Sequence, residues 1–152
     1  MSDVRTIGKV GITPIGIDDA AARIVAAATA GEGRDVHLVN AFTVANADVD
    51  AGYAGCLGAA WLNLADGLPL QWISRWSGDT KPLRQVRGAD LMRRLLGTAP
   101  SAGLKHFFLG VTPEKLALLS EAVRRDFPDA VIAGTAPRPY RPMTDDERRD
   151  EA

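Results

Sequence analysis

The sequence is poor in cysteine, with Cys56 alone among 152 residues. A single cysteine excludes an internal disulfide and a cysteine-rich zinc site, and it is compatible with a reducing cytoplasm. A cytoplasmic location is therefore predicted. Because an isolated cysteine usually behaves as a small apolar residue, Cys56 is expected to lie in the core.

Long apolar runs and an excess of one charge are also missing. No segment approaches the roughly 20 apolar residues of a membrane-spanning helix, and the start "MSDVRTIGKVG" lacks the apolar stretch of a secretory signal. Lysine and arginine number 18 against 19 aspartates and glutamates, so no global field favours nucleic acid or an anionic membrane. We expect neither an integral membrane protein nor a nucleic-acid partner, and any basic site must be local.

Short β-like runs alternate with helical patterns along a chain that is 46% hydrophobic. This alternation predicts one α/β domain over residues 1–152, with a Rossmann-like, largely parallel sheet flanked by helices. The predicted strands are residues 9–12, "DVHLVN", "WLNL", "LKHFFLG" and "AVIAG".

Helix signals lie between these strands. Asp18 is predicted to cap an alanine-rich helix that Gly31 closes. Another helix is expected from about Thr43, with a break near Gly52. "LPLQWISRW", "ADLMRRLLG" with its glycine stop, and "TPEKLALLSEAVRRDF" with Thr112 as N-cap complete the set, and "SGDTKPLRQVRG" is predicted to be a loop.

Three corners at the carboxyl ends of strands are candidate ligand sites, since parallel α/β sheets bind ligands there. They are Asn40, Asp66, and Gly110 with Thr112. Asp66 interrupts the apolar run "WLNLADGLPL", so its carboxylate must be solvated, hydrogen-bonded or functional. Backbone N–H groups near Gly110 and Thr112 could receive a diphosphate, although the residues alone favour a well-capped crossover helix.

Other chemistries find little support. The chain contains neither G-x-G-x-x-G nor G-x-x-x-x-G-K-[ST], which argues against dinucleotide and P-loop sites. Asp48 and Asp50 are spaced as in some metal-binding nucleotide-sugar enzymes, but helix capping is the favoured reading. His37 and His106 lie on predicted strands and are expected to face solvent or fill the sheet face. No metal and no cofactor is predicted.

A local cationic cluster occupies "RWSGDTKPLRQVRGADLMRR". Its arginines can neutralise a phosphate or diphosphate, because guanidinium forks match phosphate oxygens in charge and geometry. A solvated basic face is the alternative, and the residues alone favour it. The cluster consists of Arg75, Arg84, Arg87 and Arg93.

Five segments in order resemble the WecG/TagA/CpsF family of bacterial glycosyltransferases. They are "VNAFTVANAD", "ADGLPLQW", "VRGADLMRRLL", "FFLGVTPEKL" and "DFPDAVIAGT". The resemblance implies transfer of N-acetylmannosamine or a related uronic acid from a UDP donor to a polyprenyl-diphosphate-linked acceptor sugar, in cell-surface polysaccharide or teichoic-acid synthesis. It also implies inversion without a bound metal.

The resemblance assigns roles to particular residues. Asp66 maps onto the proposed catalytic base, which would take the proton of the acceptor hydroxyl. The substrate-binding positions that it implies, together with those from the corner and cluster arguments, are Asn40, Thr43, Gly67, Arg84, Arg87, Gly110 and Thr112. Two positions depart from the family pattern: Gln85 stands where the family has an arginine, and Leu38 where it has a threonine.

The end of the chain predicts a truncated family core. Thr144 and Glu147 form a capping box, yet the helix it announces, "TDDERRDEA", has no apolar stripe to dock. The family continues through strands absent here, and some members carry an appendage that meets the membrane. A non-catalytic remnant that binds nucleotide-sugar or a partner chain, and an unrelated α/β binding module, are therefore kept as alternatives. Contact with the inner face of the cell membrane and a homo-oligomer are further expectations.

Overall fold

The computed structural model describes residues 4–78, 80–138 and 144. The chain divides into two compact units, Met1–Leu95 and Leu96–Ala152. Two of the three strand pairs are parallel and helices connect them, so the predicted α/β class is confirmed. The single domain over residues 1–152 stays a prediction. No helix within the described residues is both long and apolar enough to cross a membrane.

The first unit begins with an antiparallel hairpin of β1 (Arg5–Ile7) and β2 (Val10–Ile12). The strand predicted over residues 9–12 is confirmed as β2, although Lys9 belongs to the turn, and the preceding strand β1 was not predicted. Gly8, with φ of 58°, gives the turn a backbone conformation that glycine adopts readily.

The first helix, α1 (Ile17–Thr29), starts after Gly16, which provides no side-chain cap. The prediction that Asp18 caps it was wrong: Asp18 lies in the first turn, and its carboxylate pairs with Arg94. Gly31 has φ of 72° and closes the helix as predicted, donating its N–H to the Ala28 carbonyl.

The two central strands, β3 (Val36–Val39) and β4 (Leu62–Ala65), run parallel. All four residues of β4 are buried, because its faces belong to different apolar clusters. Ala65 packs with residues of β2, β3 and the helices that follow β3, whereas Leu62 and Leu64 pack with the alanines of α1. A strand covered on both faces is expected to be a short apolar run, as "WLNLA" is.

Between these strands lie α2 (Ala41–Val49) and α3 (Ala51–Ala59). The predicted start at Thr43 is two residues late, and the break falls at Asp50, which caps α3 by accepting from the Tyr53 N–H at 2.9 Å. Cys56 is exposed, so its predicted burial was wrong. The reason is that α3 buries only Leu57.

After β4 come α4 (Leu68–Trp76) and α5 (Gly88–Thr98). The described residues between them contain no helix or strand, which confirms the predicted loop. Two hydrogen bonds donated by backbone N–H groups fix this loop. The Leu83 N–H donates to Ser74 Oγ at 3.0 Å, and the Val86 N–H donates to the Ala65 carbonyl at 2.7 Å.

The second unit contains a 3₁₀ helix (Ala99–Ala102), β5 (Lys105–Leu109), α6 (Pro113–Asp126) and β6 (Val131–Ala136). Strands β5 and β6 are parallel. The predicted stop of α5 at Gly97 was wrong, since the chain stays helical until Gly103 turns with φ of 70°. Thr112 caps α6 as predicted. Residues 145–152 of the predicted C-terminal helix lie outside the described part.

Candidate functional site

Asn40 and Asp66 lie side by side at the carboxyl ends of β3 and β4. The register pairs Val39 with Ala65, and each candidate is the next residue of its strand. The Asp66 N–H donates to the Val39 carbonyl at 2.7 Å, which continues the pairing to the corner. The parallel sheet therefore brings these two sequence-predicted residues together.

The Asp66 carboxylate is partly buried and accessible. Within the described residues it has neither a side-chain hydrogen bond nor an ion pair. Its neighbour is Gly88, where an added Cβ would lie 3.9 Å from Oδ2. Gly88 is the first residue of α5, so the carboxylate stands near the electropositive end of a helix. Such a carboxylate is free to receive a proton from a ligand hydroxyl.

Asn40 and Thr43 form a capping box at the start of α2. Asn40 Oδ1 accepts from the Thr43 N–H at 3.0 Å, and the Asn40 N–H donates to Thr43 Oγ1 at 3.3 Å. Thr43 is 8% exposed, whereas Asn40 is exposed. Thr43 thus orients Asn40, whose side-chain amide nitrogen has no partner in the described part of the chain. The N-x-x-T pattern is the sequence signal that could have located this cap.

Gly67 makes the turn from β4 into α4. Its φ of 120° lies in the region that favours glycine, and it is the N-cap of α4 without a side-chain bond. This turn leaves Asp66 at the corner instead of inside the helix.

The predicted arginine cluster divides into different surroundings. Arg84 lies against Gly16, where an added Cβ would be 3.4 Å from its Nη1. It lines a cavity of about 440 Å³ together with Arg75 and Lys81. The Val86 N–H donates to the Ala65 carbonyl, which holds Val86 beside the end of β4. Arg84 precedes Val86 by two residues. The other lining residues are Pro14, Gln71, Pro82 and Leu83.

Two arginines do not line that cavity. Arg87 Nε is 3.9 Å from Asp90 Oδ2, and both side chains are more than half exposed, so this ion pair is weak. Arg93 is exposed on α5. Gln85, at the position of the family arginine, is partly buried between the two exposed cations Arg84 and Arg87.

Gly110 and Thr112 belong to the second unit, at the carboxyl end of β5. The Gly110 N–H already donates to the Ala136 carbonyl at 2.9 Å, so this amide is not available to an anion. Thr112 Oγ1 accepts from the Lys115 N–H at 3.5 Å, and the Thr112 hydroxyl lowers the pKa of Glu114 by hydrogen bonding. Between them Val111 has φ of 53°, a strained value for a β-branched residue that sequence reasoning missed.

The two histidines have different surroundings. His37 Nε2 is 3.2 Å from Asp35 Oδ2. A hydrogen bond from the Trp61 N–H, with a smaller effect of His37, lowers the pKa of Asp35. Burial lowers the pKa of His106, whose Nε2 has no hydrogen-bond partner among the described residues. In the same part of the chain, no group of three or more potential ligands is placed to hold a metal.

A larger cavity in the second unit, of about 610 Å³, was not predicted from the sequence. It opens between the 3₁₀ helix and the connection from α6 to β6, at the amino end of β6. Its charged lining residues, Asp126 and Asp129, are acidic. An acidic cavity at the amino end of a strand does not suit a diphosphate, so we place the candidate site at Asn40 and Asp66.

Comparison with known proteins gives matching information. A model of the Glycosyl transferase WecG/TagA/CpsF family matches residues 5–152. The chain is also 36% identical over 83 residues to an N-acetylglucosaminyldiphosphoundecaprenol N-acetyl-beta-D-mannosaminyltransferase of Bacillus spizizenii. That alignment covers 54% of this chain and 32% of the relative, so the match spans about a third of the relative's length.

Proposed function

Because the chain belongs to the Glycosyl transferase WecG/TagA/CpsF family, we propose that it acts in sugar transfer to a lipid-linked acceptor. The donor is a UDP-activated N-acetylmannosamine or related uronic acid, and the acceptor is a sugar on a polyprenyl diphosphate. The name of the Bacillus relative supports this acceptor class and the N-acetylmannosamine. The observation that supports the proposal is the Asp66 carboxylate, without a partner in the described part of the chain, at a strand end next to that of Asn40.

Asp66 is the general base. The acceptor hydroxyl oxygen attacks the anomeric carbon of the donor sugar while Asp66 takes its proton. The bond from that carbon to the UDP oxygen breaks, and UDP leaves with the electron pair. Attack from the face opposite UDP inverts the anomeric centre. The exposed amide of Asn40 is placed to donate a hydrogen bond to the same acceptor or sugar.

Negative charge that develops on the UDP phosphates needs a stabiliser. Arg84, which lines a cavity together with Arg75 and Lys81, supplies this charge without a metal in the proposed mechanism. Arg84 is the first candidate for the diphosphate because its segment is bonded to the end of β4 through Val86. Arg87, which does not line this cavity, is a second contact.

The test is a transfer assay with the full chain, a UDP-sugar and a short-chain polyprenyl-diphosphate acceptor. Mass spectrometry should detect the elongated acceptor, and proton coupling constants should show an inverted anomeric centre. Titration calorimetry with UDP runs in parallel. If UDP binds and no acceptor is elongated, the chain is a nucleotide-sugar binding protein, and the proposed activity is wrong.

A further inference from the structure

Helix α4 carries an apolar face that points away from its own core. Four residues on this face, Leu68, Trp72, Ile73 and Trp76, are 46%, 48%, 40% and 83% exposed. Their spacing of four, five and eight residues from Leu68 places them on one side of a helix. With Pro69, which is also exposed, they form the α4 apolar face.

The opposite side of the helix explains why this face is outside. Leu70 is 1% exposed and Ser74 is 2% exposed, so these two residues face the rest of the first unit. The core therefore uses one narrow stripe of α4. The wider apolar stripe has no cover among the described residues, and an exposed apolar patch of this kind usually marks an interaction surface.

The composition of the α4 apolar face favours a bilayer surface. It holds two of the three tryptophans of the chain. Tryptophan concentrates at membrane–water interfaces, where its ring is in apolar surroundings and its N–H stays hydrated. A helix with one apolar face and flanking cations lies in the interface plane without spanning the membrane.

Charge complementarity points to anionic lipid. Residues 68–87 contain four lysines and arginines and a single acidic residue, although the whole chain has 18 basic and 19 acidic residues. Arg75 follows Ser74 on α4 and is exposed, and Lys81 and Arg84 follow in the next loop. Arg5 extends the basic region, since its Nε donates to the Lys81 carbonyl at 3.4 Å.

The α4 apolar face is continuous with the candidate site. Its first residue, Leu68, is two residues after Asp66. On the neighbouring strand end, Phe42 is two residues after Asn40 and is 73% exposed. An exposed apolar side chain thus follows each of the two site residues by two positions, and the one after Asp66 begins α4. A surface needed only for self-association would not have to reach the site.

We propose that the α4 apolar face inserts into the surface of a bilayer that contains anionic lipid, with Arg75 and Lys81 on the lipid phosphates. The benefit for catalysis, which rests on the proposed function, is that Asp66 is held near an acceptor whose polyprenyl chain stays in the membrane. The docking itself does not require that activity.

The first test is co-sedimentation of the full chain with neutral phosphatidylcholine vesicles and with vesicles that also contain phosphatidylglycerol. We expect binding to the anionic vesicles that decreases with added salt. The double variant Trp72→Ser/Trp76→Ser should bind at least about tenfold more weakly, since each indole loses a substantial apolar burial. Val49→Ser is the matched control, because Val49 is 86% exposed on α2.

The second test locates the contact. In a Trp61→Phe variant the remaining tryptophans are the two of α4, so fluorescence reports on this helix alone. We expect a blue shift with anionic vesicles and quenching by lipids brominated along the acyl chain. Circular dichroism of every variant establishes that the fold is retained.

Three results would overturn the membrane proposal. They are no binding of the wild type to anionic vesicles, equal binding to neutral vesicles, and undiminished binding of the double variant. A dimer that the double variant converts to monomers, in the absence of vesicle binding, would assign the face to a second copy. Vesicle binding without sugar transfer would contradict the proposed function and support the membrane docking. Transfer to a short-chain acceptor without vesicle binding would support the proposed function and contradict the membrane docking.

Discussion

The two parallel strand pairs of the molecule end in different chemistry. At the carboxyl ends of β3 and β4, Asn40 and Asp66 directly follow the paired residues Val39 and Ala65, and the Asp66 carboxylate has no partner among the described residues. At the end of β5, the Gly110 N–H donates to the Ala136 carbonyl of β6, and Thr112 caps α6. The same parallel pairing therefore leaves polar side chains available at the candidate site in one unit and forms a structural turn in the other.

The strands differ in burial as well. Every residue of β4 is buried, whereas the residues of β5 alternate between exposed and partly buried. A rigid, covered strand suits a residue that must hold a fixed position for proton transfer. In this chain, the strand that is buried along its whole length is also the one that ends at the candidate site.

The largest effect is expected when the chemistry of the two strand ends is removed. Asp66→Asn should lower the rate of transfer by about 100-fold to 10,000-fold, because the amide cannot accept the hydroxyl proton. Thr112→Val should leave the rate nearly unchanged. Initial rates of acceptor elongation at saturating donor measure both. Equal losses in the two variants would erase the distinction between the strand ends.

Leucine truncation compares the strands themselves. Leu64 in β4 is fully buried, and Leu109 in β5 is 55% exposed. Leu64→Ala should lower the free energy of unfolding by about 2–5 kcal/mol through lost apolar contact and a cavity. Leu109→Ala should cost less than about 1 kcal/mol. Urea unfolding of both variants decides the matter, and a similar cost would mean that β5 is covered in solution.

The cationic cavity of the first unit should govern nucleotide affinity. Arg84→Gln is expected to weaken UDP binding by about tenfold, the size of one lost charge-assisted hydrogen bond. Arg23→Gln on α1 is the matched control, since Arg23 is also exposed. Calorimetric titration with UDP measures both variants. Unchanged affinity in Arg84→Gln would remove this cavity from the donor site.

The smallest effects are expected at the helix caps that follow the two strand ends. Asn40→Ala removes the Oδ1 atom that accepts from the Thr43 N–H, while the bond from the backbone N–H of residue 40 to Thr43 Oγ1 remains, and it should cost about 1 kcal/mol of stability. Thr112→Ala should cost about half as much, because Thr112 accepts its bond at 3.5 Å. Thermal unfolding of the pair measures the order, and a larger cost at Thr112 would contradict it.

The sequence located the Asp66 corner because an apolar strand interrupted by Asp-Gly is a strong local signal. It also predicted the cap at Thr112 and the helix after Gly67. It could not show that Val39 pairs with Ala65, since register is a tertiary property. The exposure of Cys56 and of Trp76 was equally hidden, because an apolar residue at helical spacing does not reveal which side of its helix faces the core.

Backbone conformation at particular residues was also not predictable from the sequence. The hairpin before Ile12 depends on Gly8 taking a positive φ, and the run "RTIGKVGI" fits one strand and two strands alike. The strain at Val111 had no sequence signal, since valine ordinarily avoids this conformation. The role of Asn40 as a helix cap does have a sequence signal, which is Thr43 three residues later. The position of Asn40 after a strand favoured a ligand site instead.

Hydrogen–deuterium exchange with and without UDP tests most directly where the active site lies. We expect UDP to protect residues 38–43, 64–68 and 84–88 from exchange. These residues form the ends of β3 and β4 and the arginine segment beside them. Residues 96–101 and 126–130, around the acidic cavity of the second unit, should exchange at unchanged rates. Protection confined to these last segments would contradict the assignment of the site to Asn40 and Asp66.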